Sequence, residues 1–187
     1  MKVNNKGFTL IELLAAMVIL AAIMVIAVPN VMGILNNSKA STYVEDAKKL
    51  LSLADYEFRG NPSYRPPKGD CVVMTLGYLD NSEFDNAPNN GSYEKDNSYV
   101  MIVNTPEAGT TKNRYLFYIT LDEKMDTDNH RGIMYKSSDE LNSGAASDLI
   151  TNGTGTSILA DVNTAKSHVS CANIVKVYDT AAAATGI

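Results

Sequence analysis

The sequence is poor in the side chains that bind metals or carry out catalysis. Its 187 residues include only two cysteines and two histidines. His130 and His168 are isolated, without cysteines or acidic residues at the spacings that are diagnostic of a zinc site. The sequence also lacks a nucleophile elbow, a phosphate-binding loop and a glycine-rich dinucleotide fingerprint. We therefore predict no catalytic site, no metal site, no cofactor and no small-molecule substrate, and we expect a protein that is not an enzyme.

An excess of basic residues is also missing. The formal net charge is -5 and the pI is about 5.0, which argues against a general nucleic-acid-binding protein, because such a protein normally presents a basic face.

One short segment, Asp126–Gly132, faintly resembles a calcium-binding loop because it alternates oxygen donors and ends in glycine. However, His130 occupies a position that usually holds Asp or Asn, and Ser137 stands where a bidentate Glu would be. We predict a polar turn between two strands instead.

Charge is absent from a long stretch near the N-terminus. No charged or strongly polar side chain occurs from Leu13 to Pro29, and the apolar character persists to Leu35. With a rise of 1.5 Å per residue, a helix from Leu13 to Leu35 would measure about 35 Å, and a hydrocarbon core is about 30 Å thick. This segment can therefore span a membrane.

This apolar run differs from an ordinary secretory signal. A secretory signal ends in a small-x-small cleavage site, whereas Ile26–Asn30 is a poor site of that kind. A carboxylate, Glu12, also lies just inside the run, and a charge at the centre of a membrane helix costs about 2.5 to 3.5 kcal/mol on insertion scales. Glu12 therefore requires a stabilising partner.

The segment Lys6–Glu12 resembles the class III signal of type IV pilins and the related pseudopilins. It has a basic leader, Gly7 before the cut, Phe8 after it and Glu12 as the fifth residue after the cut, with Pro29 further along the helix. The resemblance implies that a prepilin peptidase cleaves after Gly7 and methylates the amine of Phe8. The leader would be removed and the apolar helix kept.

The resemblance also implies a role for Glu12, whose carboxylate would pair with the free terminal amine at Phe8 of a neighbouring subunit. A buried charge is tolerated when an opposite charge or hydrogen bonds lie nearby. The alternative is a carboxylate at the membrane boundary that reaches water.

Beyond Leu35 the helical pattern becomes amphipathic and predicts a helix that lies on a core until Gly60 and Pro62 end it. Pro29 and Gly33 predict a kink or a loosened stretch within the apolar half. The apolar positions of the amphipathic half recur at spacings of three and four: Ala40, Tyr43, Val44, Ala47, Leu50, Leu51, Ala54 and Phe58.

The rest of the chain is rich in β-branched and aromatic runs joined by short connections. These runs predict an antiparallel sheet, with one face covering the helix and the other able to face solvent. Asn142–Ser157 reads as a mobile surface loop and Thr180–Ile187 as a frayed tail. The predicted strands are Cys71–Leu76, Tyr99–Val103, Tyr115–Leu121, Ile133–Tyr135 and Asn173–Tyr178.

By resemblance, the fold is α+β and of the type IV pilin kind, with a long N-terminal helix packed on an antiparallel head domain. The expected divisions are a leader at 1–7, a transmembrane or filament-core helix at 8–35, an amphipathic helix half at 36–60 and a globular head at 61–187.

The two cysteines, Cys71 and Cys171, are expected to meet an oxidising environment. Lys2 and Lys6 precede the apolar run, which favours a cytoplasmic N-terminus and an exported head. Such an environment favours a disulfide between them, and the alternative is two unpaired buried thiols. Pilins often have a disulfide that closes a shorter C-terminal loop, so the wide spacing departs from the pattern of the family.

The resemblance implies a structural subunit that polymerises into a helical type IV pilus filament used for adhesion or motility. Its partners would be copies of itself, the prepilin peptidase and methyltransferase, the pilus assembly platform and minor pilins. It would be a single-pass membrane protein before assembly and part of a surface pilus afterwards. One alternative is a minor pilin or pseudopilin of a secretion or DNA-uptake system. Another is a membrane-anchored extracellular binding domain with an uncut anchor. The third is a secreted enzyme, which no motif in the sequence supports.

Overall fold

The computed structural model of the chain forms two compact units, Met1–Ser38 and Lys39–Ile187. The residues that it describes are 7–79, 84, 86–107, 109–110, 112–126, 129–154, 162–179 and 182–186.

A single long helix, α1 (Leu10–Gly60), contains the whole apolar run. One 18-residue window of α1 has a mean hydropathy of 2.8, and none of it is buried. By length and composition this helix can cross a membrane. The helix continues through Pro29, and the side chain of Asn30 donates to the carbonyl of Ile26 at 3.0 Å. A kink at Pro29 or Gly33 stays a prediction.

In the second unit, the C-terminal half of α1 packs on a sheet. Its buried side chains are the eight that the spacing predicts, from Ala40 to Phe58. All of them except Ala40 join one core with residues of the sheet such as Met74, Ile102 and Leu121. Since burial of one large apolar side chain contributes about 1.5 to 3 kcal/mol, this face holds the helix on the sheet. The predicted α+β architecture is confirmed.

Among the described residues, the sheet has eight strands in the order β6-β5-β4-β3-β1-β7-β8, with β2 pairing beside β4. The strands are β1 (Cys71–Thr75), β2 (Ser92–Tyr93), β3 (Tyr99–Asn104), β4 (Tyr115–Lys124), β5 (Asn129–Ser137), β6 (Ile150–Thr154), β7 (Ile174–Asp179) and β8 (Ala182–Gly186). The short helices are α2 (Leu76–Leu79), α3 (Ser138–Ser143), α4 (Ala146–Leu149) and α5 (Val162–His168), and a 3-10 turn spans Pro62–Tyr64.

One strand pair departs from the predicted antiparallel arrangement, because β1 and β7 run parallel. The prediction relied on short connections between strands that follow one another in sequence. β1 and β7 are not such neighbours, so the chain can return to β1 in the same direction.

The second face of the sheet, which the sequence pattern allowed to face solvent, is covered as well. Val73, Met101 and Val103 are buried there against Ala165 of α5 and the adjoining Val169. All five residues of β1 and all six of β3 are buried. A strand that is covered on both faces shows a continuous apolar run rather than alternation, and both runs were visible in the sequence.

Two segments that were expected to lack regular structure contain strands. Within Asn142–Ser157, the structure places α4 and the edge strand β6, which pairs with β5; residues 155–157 lie outside the described part. In the tail, β8 pairs with β7. Ladder hydrogen bonds come from the backbone, so a segment rich in Thr, Asn, Gly or Ala can join a sheet without the side chains that usually reveal a strand.

A disulfide joins Cys71 to Cys171, with their Cα atoms 5.7 Å apart. Two backbone hydrogen bonds flank it, from Cys71 N to Asn173 O at 2.9 Å and from Ala172 N to Gly69 O at 2.7 Å. The bridge therefore fixes the start of β1 beside the segment that leads into β7.

Replacing both Cys71 and Cys171 by Ser should lower the free energy of unfolding. The bridge closes a loop with a sequence separation of 100, for which the chain-entropy model gives about 4.7 kcal/mol. Denaturant unfolding of the full-length protein in detergent would measure the loss, with reduced wild-type protein as the parallel sample. Equal midpoints for the variant and the oxidised wild type would contradict a stabilising role.

Candidate functional site

The predicted cleavage position lies in exposed backbone ahead of α1. Gly7, Phe8 and Thr9 precede the first helical residue, Leu10, and the Phe8 side chain is 89% exposed. Exposed segments outside regular structure are the preferred substrates of proteolysis. The bond between Gly7 and Phe8 is therefore accessible.

Thr9 and Glu12 form a reciprocal cap on the first turn of α1. The Thr9 backbone N–H and hydroxyl donate to Glu12 Oε2 at 2.8 and 2.9 Å, and the Glu12 N–H donates to Thr9 Oγ1 at 3.3 Å. Such a capping box satisfies backbone donors that the helix itself leaves unpaired, and the residue at the N-cap contributes about 0.5 to 2 kcal/mol.

The cap gives the Glu12 carboxylate hydrogen bonds without an opposite charge. Thr9-x-x-Glu12 ahead of an apolar run is a recognisable capping signature, so the sequence itself contains the signal for this role of Thr9. In the part of the chain that the structure describes, the hydrogen bonds to this carboxylate go to Oε2. Its Oε1 remains available to a donor from another molecule.

Comparison with known families identifies this N-terminal segment. Residues 2–28 match the model of the prokaryotic N-terminal methylation motif. The motif is the class III signal of type IV pilins and pseudopilins, so the resemblance seen in Lys6–Glu12 is confirmed. No curated protein and no solved structure matches the chain.

The methylation motif carries several general implications. It supports a prepilin of the type IV pilin or pseudopilin kind, and it marks structural proteins rather than enzymes. It implies processing by a prepilin peptidase and, in general terms, assembly into filaments. Together with the apolar helix, it fits a membrane-anchored precursor.

The segment that faintly resembled a calcium loop, Asp126–Gly132, begins between β4 and β5 and ends within β5, which starts at Asn129. The Asp126 carboxylate accepts from the Asn129 backbone N–H at 2.9 Å and from its side-chain amide at 2.7 Å, as in a polar turn. Residues 127 and 128 lie outside the described part. Among the described residues, no three His, Cys, Asp or Glu side chains lie close enough to hold a metal ion.

The two histidines are found in separate places. His130 Nδ1 lies 3.0 Å from both carboxylate oxygens of Asp122, and both side chains are buried. Burial raises the pKa of Asp122, and the hydrogen bond from His130 opposes that rise. The ring of His168 stacks on Tyr135, with centroids 4.9 Å apart and planes at 13°.

A buried carboxylate that the sequence did not reveal, Glu123 on β4, fixes α1 to the sheet. Its Oε2 accepts from the Tyr43 hydroxyl of α1 and from the Asn89 side-chain amide at 3.1 Å. Its Oε1 accepts from the backbone N–H groups of Asn89 and Gly91, both at 2.9 Å. A Cβ at Gly91 would collide with the Lys124 carbonyl oxygen, so the loop can reach the carboxylate only because residue 91 is glycine.

The surroundings of Glu123 shift the pKa of its carboxyl group. Burial raises its pKa, and the backbone N–H groups of Gly91 and Asn89 lower it only in part. Because the folded-state pKa lies above the ordinary value of 4.5, the folded protein holds this proton more tightly than the unfolded chain does.

Replacing Glu123 by Gln should therefore change stability in a pH-dependent way. The contribution of the titrating carboxyl to the free energy of unfolding is fully present below the pKa that Glu123 has in the unfolded chain. It is lost as pH rises through the pKa that Glu123 has in the folded protein. The free energy of unfolding of the wild type minus that of the variant should fall as pH rises from about 4.5 to 7. Denaturant titrations of both proteins across this range would measure it, and a difference that grew with pH would contradict the upward shift.

Proposed function

We propose that the chain is a prepilin whose processed form is the structural subunit of a type IV pilus filament. The observation that carries the proposal is the methylation motif at residues 2–28, which includes the beginning of an exposed apolar helix. In this proposal residues 1–7 are the leader, 8–35 the membrane and filament-core helix, 36–60 the amphipathic half and 61–187 the head. The filament would serve adhesion, motility or a related surface function.

The apolar half of α1 needs a water-free environment both before and after assembly. Lipid provides one for the precursor, with the N-terminus in the cytoplasm and the head outside. Helices of other copies provide one in a filament, because a surface that is compatible with lipid is also compatible with like helices. A head-to-tail contact that does not close into a ring generates a helical filament. The processed subunit would then reside in a cell-surface pilus.

Assembly would involve further partners and a local change in the helix. The partners are the prepilin peptidase and methyltransferase, the assembly platform and minor pilins. Pro29 lacks a backbone donor and Gly33 lacks a side chain, so the helix between them is the stretch that can bend or loosen during transfer out of the membrane.

The role proposed for Glu12 follows from its geometry. Cleavage after Gly7 creates a positive amine at Phe8, and Glu12 Oε1 is available to it in a neighbouring copy. The cap from Thr9 holds the carboxylate in place while Oε1 pairs. Pairing would keep the charge from remaining isolated in an apolar filament core.

Pseudopilins carry the same methylation motif, so a minor pilin or a pseudopilin of a secretion or DNA-uptake system is the alternative. Abundance separates them: a major pilin dominates filaments sheared from the cell surface, and a minor pilin does not.

Mass spectrometry of the mature protein tests the proposal. The N-terminal residue should be Phe8 with one methyl group on its amine, because the peptidase removes residues 1–7 before methylation. An uncut protein that begins at Met1 would indicate a plain membrane-anchored binding domain instead.

Two substitutions of Glu12 separate charge pairing from helix capping. Glu12→Gln keeps an oxygen that can accept from Thr9 but loses the charge, whereas Glu12→Ala loses both. If pairing with the Phe8 amine drives assembly, both variants should lose surface filaments, as counted by electron microscopy of sheared material. Normal filaments from the Gln variant alone would show that capping suffices, and normal filaments from both would exclude a role for Glu12.

A further inference from the structure

One large apolar side chain is exposed where strand β4 ends. Met125 follows β4 directly and is 38% exposed, although its N–H still donates to the Asn129 carbonyl at 3.0 Å. Outside the apolar run and Phe8, Tyr56 is the only other large apolar side chain that is exposed among the described residues. A single exposed apolar side chain is ordinary by itself, so its meaning depends on whether the molecule offers a complementary surface.

The residue after Met125 adds a charge to this end of β4. Asp126 is exposed, and its carboxylate accepts from the Asn129 N–H at 2.9 Å and from the Asn129 side-chain amide at 2.7 Å. These two hydrogen bonds fix the orientation of the carboxylate. The nearby cation, Lys124, lies 3.8 Å from Glu94. The end of β4 therefore presents an apolar side chain beside an acid, and we call Met125 and Asp126 the knob.

A groove of matching chemistry lies at the other end of β4. It has a volume of about 360 Å³, and we call it the aromatic groove. The ring of Phe58 in α1 meets the rings of Tyr115 and Phe117 edge to face, with centroids 4.8 and 5.4 Å apart. A thioether makes favourable contacts with aromatic rings, so a methionine side chain suits these walls. The residues that line the aromatic groove are Asp55, Phe58, Arg59, Arg65, Tyr115 and Phe117.

The aromatic groove carries one uncompensated positive charge. Asp55 accepts from Arg59 Nε at 2.7 Å, so these two charges already neutralise each other. The guanidinium of Arg65 lies over the Phe58 ring, 5.9 Å from its centroid. Within the part of the chain that the structure describes, Arg65 forms no ion pair. The charge that the groove offers is therefore that of Arg65, and it is opposite in sign to Asp126.

The knob and the aromatic groove also lie on different sides of α1. Near the knob, Glu123 of β4 accepts from Tyr43 of α1. At the groove, Phe117 of β4 adjoins Asp55 and Arg59 of α1. At 3.6 residues per turn, Asp55 and Arg59 are about 120° and 160° around the helix from Tyr43. Strand β4 therefore crosses beneath α1 from one side of the helix to the other.

We propose that the knob of one copy seats in the aromatic groove of the next copy. Met125 contacts Tyr115 and Phe117, and Asp126 pairs with Arg65. This inference rests on the proposed filament function and names a contact between heads within it.

This contact can repeat from copy to copy. Between the groove and the knob, β4 measures about 30 Å at about 3.3 Å per residue, so successive copies are displaced by that length. Because knob and groove lie on different sides of α1, the amphipathic halves of the two copies run side by side. Each further copy is displaced again in the same sense, so the contact continues without overlap and without closing into a ring.

An exchange of the two charges tests the contact. Arg65→Asp alone and Asp126→Arg alone each bring like charges together, so each should lower the yield of sheared filaments about tenfold. The double variant restores opposite charges and should restore the yield. Lys68→Asp is the matched control, because Lys68 is exposed in the same loop as Arg65 but lies outside the groove, and it should keep the wild-type yield. Denaturant unfolding of each full-length protein in detergent shows whether the fold is kept.

Introduced cysteines give a second measurement that leaves the contact residues intact. The described residues contain no free cysteine. In Arg114→Cys with Lys124→Cys, the thiols adjoin Tyr115 and Met125, and within one chain they are about 33 Å apart, beyond the reach of a short bis-maleimide. In filaments this linker should produce a ladder of covalent multimers on denaturing gels. Each single variant should stay monomeric, as should Arg114→Cys with Asp148→Cys, because Asp148 lies in α4, ahead of the edge strand β6.

Three results would overturn the contact and leave the filament function standing. They are filaments that give no ladder, single charge variants with unchanged yield, and a double charge variant that folds but does not restore the yield. If a charge variant does not fold, the ladder decides. An absence of filaments in the wild type, together with an uncut N-terminus, would overturn the proposed function and this inference with it.

Discussion

The constraint on which the structure depends is the exclusion of water from one uncharged stretch of helix. From Leu13 to Leu35 no side chain carries a charge, and the helix leaves these side chains exposed within its own chain. Backbone polar groups are satisfied internally by the helix, so only the side chains need a partner, and lipid or another apolar helix serves equally. The amphipathic half of the helix, from Lys39 to Gly60, is different because it buries one stripe of side chains against the folded sheet of its own chain.

Two buried or apolar-flanked carboxylates show how such a chain accommodates acids. Glu12 receives hydrogen bonds from Thr9, a residue three positions away, so its stabilisation is local to one helical turn. Glu123 receives its bonds from residues distant in sequence, Tyr43 and the loop at Asn89 and Gly91. The first arrangement operates in any environment that preserves the helix. The second requires the whole head to be folded, and it fixes which face of α1 points outward.

The sequence predicted what depends on local pattern. The buried stripe from Ala40 to Phe58 follows from the helical period, and the N-terminal signal follows from residue types at fixed positions from Gly7. It did not predict what depends on long-range pairing. β6 and β8 are held by backbone ladders, the parallel pairing of β1 with β7 reflects chain topology, and α5 covers a sheet face that was expected to be open. The hydrogen bonds to Glu123 come from α1 and from the loop at Asn89 and Gly91, which are distant from β4 in sequence. No short sequence motif could therefore predict its role as an acceptor.

The disulfide joins two cysteines that are 100 positions apart in the sequence, and this has a mechanical consequence. Tension applied along the polypeptide reaches Cys71 soon after it leaves α1, and there it passes through the sulfur atoms directly to Cys171. The intervening residues, which include β3, β4 and β5, are bypassed by this covalent shortcut. Stretching the oxidised chain can therefore lengthen only the segments outside the loop, and the centre of the sheet cannot be drawn out into an extended thread until the bridge is reduced.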